Sequence, residues 1–396
     1  MISSCLQDNP EALIFTDSSL FKHLEKLSDP RTGWTLKHEF IDIVVIAILA
    51  VLSGADGWND IEEYGQSKQE WLRGFLKLPN GIPSHDTFNN VIRCIDPEQF
   101  ADCFHNWIAA ITEMIDVQVI PIDGKTHRGS YDRTNKQKAL HTVSAWASSN
   151  RILLGQVKVE QKSNEITAIP KLLETIDIKG CIITRRFGGK LPPKSSLTID
   201  AMGCQKAVAN QIVQQEGNYI LALKGNQPNL LTAVKQAFEK VSSPDSQILY
   251  EFNESIETGH YRIDTRKCWV IPASSISAAW PSTQTLVMVK SQRECWNKIS
   301  TETKYYISSL PSDVVKIAVA IRSHWSSENQ LHWFLDVVFG EDDSRIRKDY
   351  GAENFGTLRR LALGLLQRET SLKKSIRLKR YRASMNNDYL LKLLLS

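Results

Sequence analysis

The 396-residue sequence has no CxxC pair, and its 7 Cys are scattered without regular spacing. That pattern argues against a disulfide framework and a structural zinc site, and it fits a reducing cytoplasm. No hydrophobic run is long enough to span a bilayer, so no membrane association is expected. The most apolar stretch, Ile41 to Leu52, reads as a buried helix. Met1 to Pro10 is polar, so no signal peptide is expected. Charge of one sign is not in large excess: 48 Lys and Arg stand against 44 Asp and Glu, for a net +4. This mild basicity permits a nucleic-acid partner without demanding one. No internal repeat, low-complexity segment, Ser-His-Asp or Cys-His arrangement stands out, so a protein nucleophile is not expected.

What is present is a chain too long for one ordinary core, with a periodicity that changes along its length. Up to Asp116 the apolar residues recur at helical spacing, as in His38 to Ser53, Asp56 to Tyr64, and the helix beginning at Glu98. Ser84, after the Pro79-Asn80-Gly81-Ile82-Pro83 loop, is placed to N-cap another helix. Residues 1–116 are therefore expected to form a helical domain. From Val117 the period becomes strand-like. Strands are expected at Val117 to Asp123, Ala139 to Ala147 and Ile152 to Val159, followed by a helix from Ser163 to about Ile176. A strand ending at Asp200, a helix from Gln205 to Gln215, and a strand from Tyr219 to Leu223 complete residues 117–225. That order predicts a mixed α+β, α/β-like core with a five-stranded sheet, as in the ribonuclease H-like fold, whose first and fourth strands are neighbours. Residues 226–309 read as a β-rich insertion. Residues 310–396 are expected to complete the core with a helix from Ser312 to Asp336 and a basic tail, Lys373 to Arg382.

Three acids carry the candidate chemistry. Asp123 ends an apolar strand and precedes Gly124, Lys125, His127 and Arg128; Asp200 repeats the arrangement before Ala201-Met202-Gly203. Glu328 lies one helical turn from both His324 and His332. Two strand-end Asp and one helical Glu are suited to hold two Mg²⁺ for phosphoryl transfer. Each has an ordinary alternative: Asp before Gly forms turns, Asp before a helix caps it, and Asp336, Glu341, Asp342 and Asp343 compete with Glu328 unless they line a solvated face. Lys125, Arg128 and Lys224 are candidate phosphate contacts, and His324 is a candidate for orienting Glu328 or touching the scissile phosphate.

These residues resemble a known family. Asp123-Gly124-Lys125, Lys162-Ser163-Asn164-Glu165-Ile166, Asp200-Ala201-Met202-Gly203, Leu223-Lys224-Gly225-Asn226-Gln227, and His324-Trp325 through Glu328-Asn329 to Leu331-His332-Trp333 look like motifs of the H-repeat-associated insertion-sequence transposases. This is a bacterial group of DDE-type transposases, and the likeness covers nearly the whole chain. The resemblance implies DNA cleavage and strand transfer by Asp123, Asp200 and Glu328 with two Mg²⁺, for which Mn²⁺ substitutes. It implies double-stranded DNA as partner, both terminal inverted repeats and target, with the helical domain on the repeats and a homodimer on the DNA ends. It also implies a cytoplasmic bacterial setting, at the nucleoid when bound to DNA.

Two departures stand out. Where related elements carry Tyr, Arg, Glu and Lys at fixed spacing, this chain has Ile321, His324, Glu328 and Leu335, which shifts the expected phosphate contact to Arg322. Relatives also run from a segment like Gly180 to Thr184 straight into Ile199-Asp200, whereas Arg185 to Thr198 intervenes here with Gly-Gly and Pro-Pro. The expectation is that Ser196 to Ile199 rebuilds the strand beside the one ending at Asp123, with the extra residues looped out. The competing readings are a decayed copy that binds DNA without cutting it, and a nuclease of the same fold without strand transfer.

Overall fold

The computed structural model describes residues 19–33, 36–111, 119–131, 139–148, 152–159, 165–185, 204–241, 247–259, 261–274, 280–296, 298–327 and 331–395. Asp200, Glu328 and the segment Ser196 to Ile199 lie outside them.

One mixed sheet of nine strands runs through the molecule in the order β3-β2-β1-β4-β5-β9-β8-β7-β6. Its first five strands are β1 (Val119–His127), β2 (Leu140–Ala147), β3 (Ile152–Lys158), β4 (Ile182–Arg185) and β5 (Asn218–Leu223). β1, β4 and β5 are parallel, β2 pairs antiparallel with β1, and β3 pairs antiparallel with β2. Ile182 and Ile183 in β4 point to opposite faces and are both 1% exposed, as expected for a central parallel strand covered on both sides.

The place beside β1 is therefore filled by the residues before the interruption. Val119 pairs with Ile182, Ile120 with Ile183 and Pro121 with Thr184. This corrects the expectation that Ser196 to Ile199 would take that place. Cys181 to Thr184 are uniformly apolar or β-branched and follow a Gly180 turn at φ +70, so they enter the sheet directly from the preceding helix.

The sheet is also larger than expected. β6 (Glu251–Gly259), β7 (Arg262–Pro272), β8 (Thr285–Cys295) and β9 (Lys298–Ser308) form a meander, and β9 pairs antiparallel with β5 from Ile220–Ser308 to Leu223–Tyr305. The β-rich insertion thus extends the five strands as one continuous ladder.

Alternation sorts the side chains onto two faces. Ile120, Ile122, Ile183, Tyr219 and Leu221 pack with Leu172, Ile212 and Phe238 from the helices Glu165–Glu174, Lys206–Gln214 and Pro228–Val241. Ile182, Ile220, Val270, Val287 and Tyr306 pack on the other face against Ile317 and Ile321 of the helix Val314–Ser327. Asp123 shares the strand parity of Val119, so it belongs to this second face.

A third core is helical and joins the two ends of the chain. The helix Phe40–Ser53 is buried on every side, which marks an internal helix. It packs against Gly351–Arg368 and Ile376–Met385. Trp58 meets Phe355 edge-on, with ring centroids 5.1 Å apart. No single described helix is long and apolar enough to cross a membrane.

Two cations of the basic tail serve this core. Arg380 is 6% exposed and donates to the carbonyl oxygens of Val51 (3.1 Å), Ala55 (3.0 Å) and Val338 (2.6 Å), and to Asp56 (2.8 Å). Lys379 donates to the carbonyl of Leu366 at 3.0 Å and to that of Glu369. Arg380 thus supplies donors to carbonyls left over at helix ends. Arg380→Met, which keeps the stem and removes the donors, is expected to cost about 3 kcal/mol or more. A urea unfolding midpoint equal to that of the parent would refute this role.

Candidate active site

β1 does not end at Asp123. Gly124 continues the strand, and the chain remains extended to His127, so Asp123, Lys125 and His127 project from the same face. Only the parallel pairing with β4 stops at Pro121. The segment after Glu328 lies against these three side chains. It includes a wide helical turn at Leu331 and His332, a short helix Trp333–Val337, and a single 3₁₀ turn Glu341–Asp343.

The contacts form successive rungs. His332 Nε2 lies 3.5 Å from Asp123 Oδ2. Lys125 Nζ lies 2.5 Å from Asp336 Oδ1 and 2.7 Å from Glu341 Oε2. His127 Nδ1 is 3.5 Å from Glu341 Oε1, and Arg360 Nη1 reaches the same oxygen at 3.3 Å. The spacing follows from geometry. Residues two apart on a strand and four apart on a helix both advance by roughly 6 to 7 Å. Beyond the rungs the backbones close up: a Cβ on Gly129 would sit 2.2 Å from the carbonyl oxygen of Ser344, so only Gly fits there.

The electrostatics follow from burial. Burial alone would raise the Glu341 carboxyl, but Arg360, His127 and Lys125 outweigh it and hold the group below the usual carboxylate range. Burial pushes the His127 imidazole down to about 3; Glu341 opposes this, while Arg360, Lys125 and Arg359 add to it. His127 is therefore neutral. Its Nε2 lies 3.1 Å from the Thr142 hydroxyl and 3.3 Å from Arg360. Burial raises Asp336, and the nearby charges of Asp342 and Glu341 act in the same direction against Lys125.

The expected site residues divide as follows. Asp123 is partly open, at 31% side-chain exposure, and its Oδ1 accepts a bond from its own Gly124 amide at 2.9 Å. Lys125 is only 9% exposed and is held between two carboxylates, an internal cation where a phosphate contact was expected. Arg128 is 83% exposed, with Asp342 3.7 Å from its Nε. Lys224 is exposed just past the end of β5, on the same edge of the sheet as Asp123. Arg322 turns toward the insertion and donates to Glu257 at 3.0 and 2.7 Å. The side chain of His324, like Asp200 and Glu328, lies outside the described residues. No three carboxylate, His or Cys side chains converge on a metal position among the described residues.

Sequence reasoning passed over Glu341, Asp336 and His127 as site-building residues. A usable signal existed in the shared parity of positions 123, 125 and 127 on one strand face. Glu341 was grouped with solvated acids, and nothing local marks it as buried.

Comparison with known proteins decides the family. The Transposase DDE domain matches residues 114–365, and the domain described as DDE_Tnp_1-associated matches residues 21–108. The chain belongs to the DDE transposase family. The fold this family implies is ribonuclease H-like, in keeping with the β3-β2-β1-β4-β5 order of the first five strands. The chain is 38% identical over 381 residues to "H repeat-associated putative transposase YhhI" of Escherichia coli (strain K12), covering 94% of this chain and 96% of that protein. It is 37% identical over 385 residues to "Putative transposase YncI" of Escherichia coli O157:H7, covering 96% and 95%. A shorter relative, "Inactive transposase YbfQ" of Escherichia coli (strain K12), is 40% identical over 73 residues, 18% of this chain and 87% of that protein.

Two outcomes test the rungs. Lys125→Met takes the shared cation from Asp336 and leaves Glu341 with Arg360, and is expected to cost about 3 kcal/mol. A cation free to contact phosphate would leave the unfolding midpoint unchanged. His127, whose folded value lies below the ordinary 6.5, refuses a proton that the unfolded chain accepts, so it withdraws stability as pH falls below about 6.5. Between pH 7 and pH 5 the parent should lose about 2 kcal/mol more than His127→Gln. Parallel pH profiles in denaturant titrations would contradict this.

Proposed function

We propose that the chain is a DNA transposase that cleaves and joins DNA at the ends of an insertion sequence, with Asp123, Asp200 and Glu328 as its metal-holding acids. The supporting observation is the 3.5 Å approach of His332 to Asp123, because His332 follows Glu328 by only four residues in the sequence. Asp123 suits a hard cation: it offers carboxylate oxygens and is partly open. When bound, two Mg²⁺ would supply Lewis-acid activation of the attacking water or 3′-hydroxyl and neutralise the leaving oxygen. The protein holds the acids and the DNA in line for that attack. His332 and the Lys125–Asp336 pair fix the segment from His332 to Asp336 against β1. Lys224 and Arg128, exposed near this edge, hold the phosphate backbone. His324 orients Glu328 or touches the scissile phosphate. Arg322, bonded to Glu257, is left out of this set. The partners are terminal-repeat and target duplexes, bound by a homodimer.

One observation favours the second reading, a copy that binds DNA without cutting it. The strand beside β1 is Ile182–Arg185, from before the interruption, and Asp200 follows Thr184 by sixteen residues. Deleting Arg185 to Thr198 would join Thr184 to Ile199-Asp200. Both β1 and β4 would then carry an Asp two residues beyond the Pro121–Thr184 pair. Cleavage of terminal-repeat DNA tests both readings. The intact chain should cut in Mg²⁺, and Asp123→Asn should abolish cutting while DNA affinity persists. An inert parent alongside an active deletion variant would instead assign this copy to the non-cutting class.

A further inference from the structure

The C-terminal helices carry a large excess of positive charge. Residues 371–396 contain 7 of the 48 Lys and Arg and 1 of the 44 acids. The remaining 41 cations and 43 acids leave the rest of the chain at net −2, so the whole excess of +4 is carried by the C-terminal helical hairpin. Within it, Lys379 and Arg380 face inward and are bonded to backbone carbonyls. Lys392 is taken by Glu369 at 3.4 Å, and Arg382 lies over the Tyr389 ring at 5.3 Å.

Lys373, Lys374 and Arg377 remain. All three are exposed, and none takes part in an ion pair or side-chain hydrogen bond among the described residues. The first turn of the helix they lead into, Ile376–Met385, contains no acid. Tyr381 (62% exposed) and Leu378 (50%) complete the outward surface. Three like charges packed closely repel one another and gain nothing from the fold. That repulsion is relieved by an anionic partner whose charges recur along a surface.

We infer that this outer face of Ile376–Met385, with Lys373 and Lys374, is a second DNA-backbone contact surface, holding duplex that flanks the site of cleavage. The inference rests on the transposase reading above. The same helix is tied to the active-site segment, because Arg380 donates to the carbonyl of Val338, one residue beyond the helix Trp333–Val337. His332, at the start of that segment, faces Asp123. The cationic face is thus carried on a helix bonded to the segment that lies against Asp123. Contacts of this kind neutralise phosphates without reading sequence. Tyr381 and Leu378 add apolar contact to the sugar edges.

The test is a binding titration of the full-length chain on duplex DNA of arbitrary sequence, without Mg²⁺, across a range of salt. The triple variant Lys373→Gln, Lys374→Gln, Arg377→Gln should lower the log–log salt slope by about 2 to 3 and weaken binding at least about tenfold at low salt. Its thermal midpoint should match the parent, since no described partner is lost. A control with equal charge loss on other exposed lysines, Lys240→Gln, Lys290→Gln, Lys298→Gln, should change the slope much less. An unchanged slope in the first variant, or an equal fall in the control, would overturn the inference while leaving the transposase reading intact. Loss of binding to phosphatidylserine vesicles with the DNA slope preserved would assign the face to a membrane and also overturn it. A parent chain with no affinity for DNA would defeat the transposase reading itself.

Discussion

The Lys125 ammonium, held between Asp336 and Glu341, is the constraint on which the sheet edge bearing Asp123 depends. Burying Lys125, Glu341 and Arg360 together is costly, because ionised groups lose their hydration, and His127 is held neutral among them. The arrangement is stable only if each charge meets its partner, which makes it intolerant of displacement. If β1 slipped by one residue, Thr126 would replace Lys125 opposite two acids and every inward side chain would turn outward. The cluster therefore fixes one register between the strand bearing Asp123 and the segment from His332 to Glu341. A purely apolar contact would hold the same elements together with less geometric selectivity.

The insertion contributes to the same rigidity. Because β9 continues the ladder from β5, the four added strands share the hydrogen bonds of the core sheet. The helix Val314–Ser327 lies across both parts. Its apolar residues pack on β4 and β5 from one side and on β7 and β8 from the other, and Arg322 clamps Glu257 on β6. The helix leading to Glu328 is thus braced by the core and the insertion at once.

Much of the fold was legible because periodicity reports burial directly. The hairpin of β2 and β3, the helix Lys206–Gln214, and strands β7 to β9 follow from alternation and turn residues within a few positions. What sequence could not reveal was competition between segments. Ile182 to Thr184 and Leu197 to Ile199 are both plausible strands, and only pairing with Val119 to Pro121 decides between them. Strand β9 likewise carries no mark showing that its edge partner is β5. At the site, Asp123 stood out through its apolar strand, whereas Lys125 was misread because a cation after an acid looks solvated until a distant helix supplies two carboxylates. The basic tail was similarly divided by packing that local sequence does not encode: Lys379 and Arg380 turn in, Lys373 and Arg377 turn out.

The union of the two chain ends in one core has a consequence for synthesis. The helix Phe40–Ser53 is covered by Gly351–Arg368 and Ile376–Met385, and its last turn is capped by Arg380. At roughly 5 to 20 residues per second, ribosomal elongation separates these elements by about 15 to 60 seconds. For that interval the helix keeps only the native cover of nearer elements such as Trp58–Ser67 and His85–Ile92. The face later covered by Gly351–Arg368 and Ile376–Met385 stays open until those helices have emerged. The helical core and the sheet edge it braces are thus completed only when helices from both parts of the chain are present together.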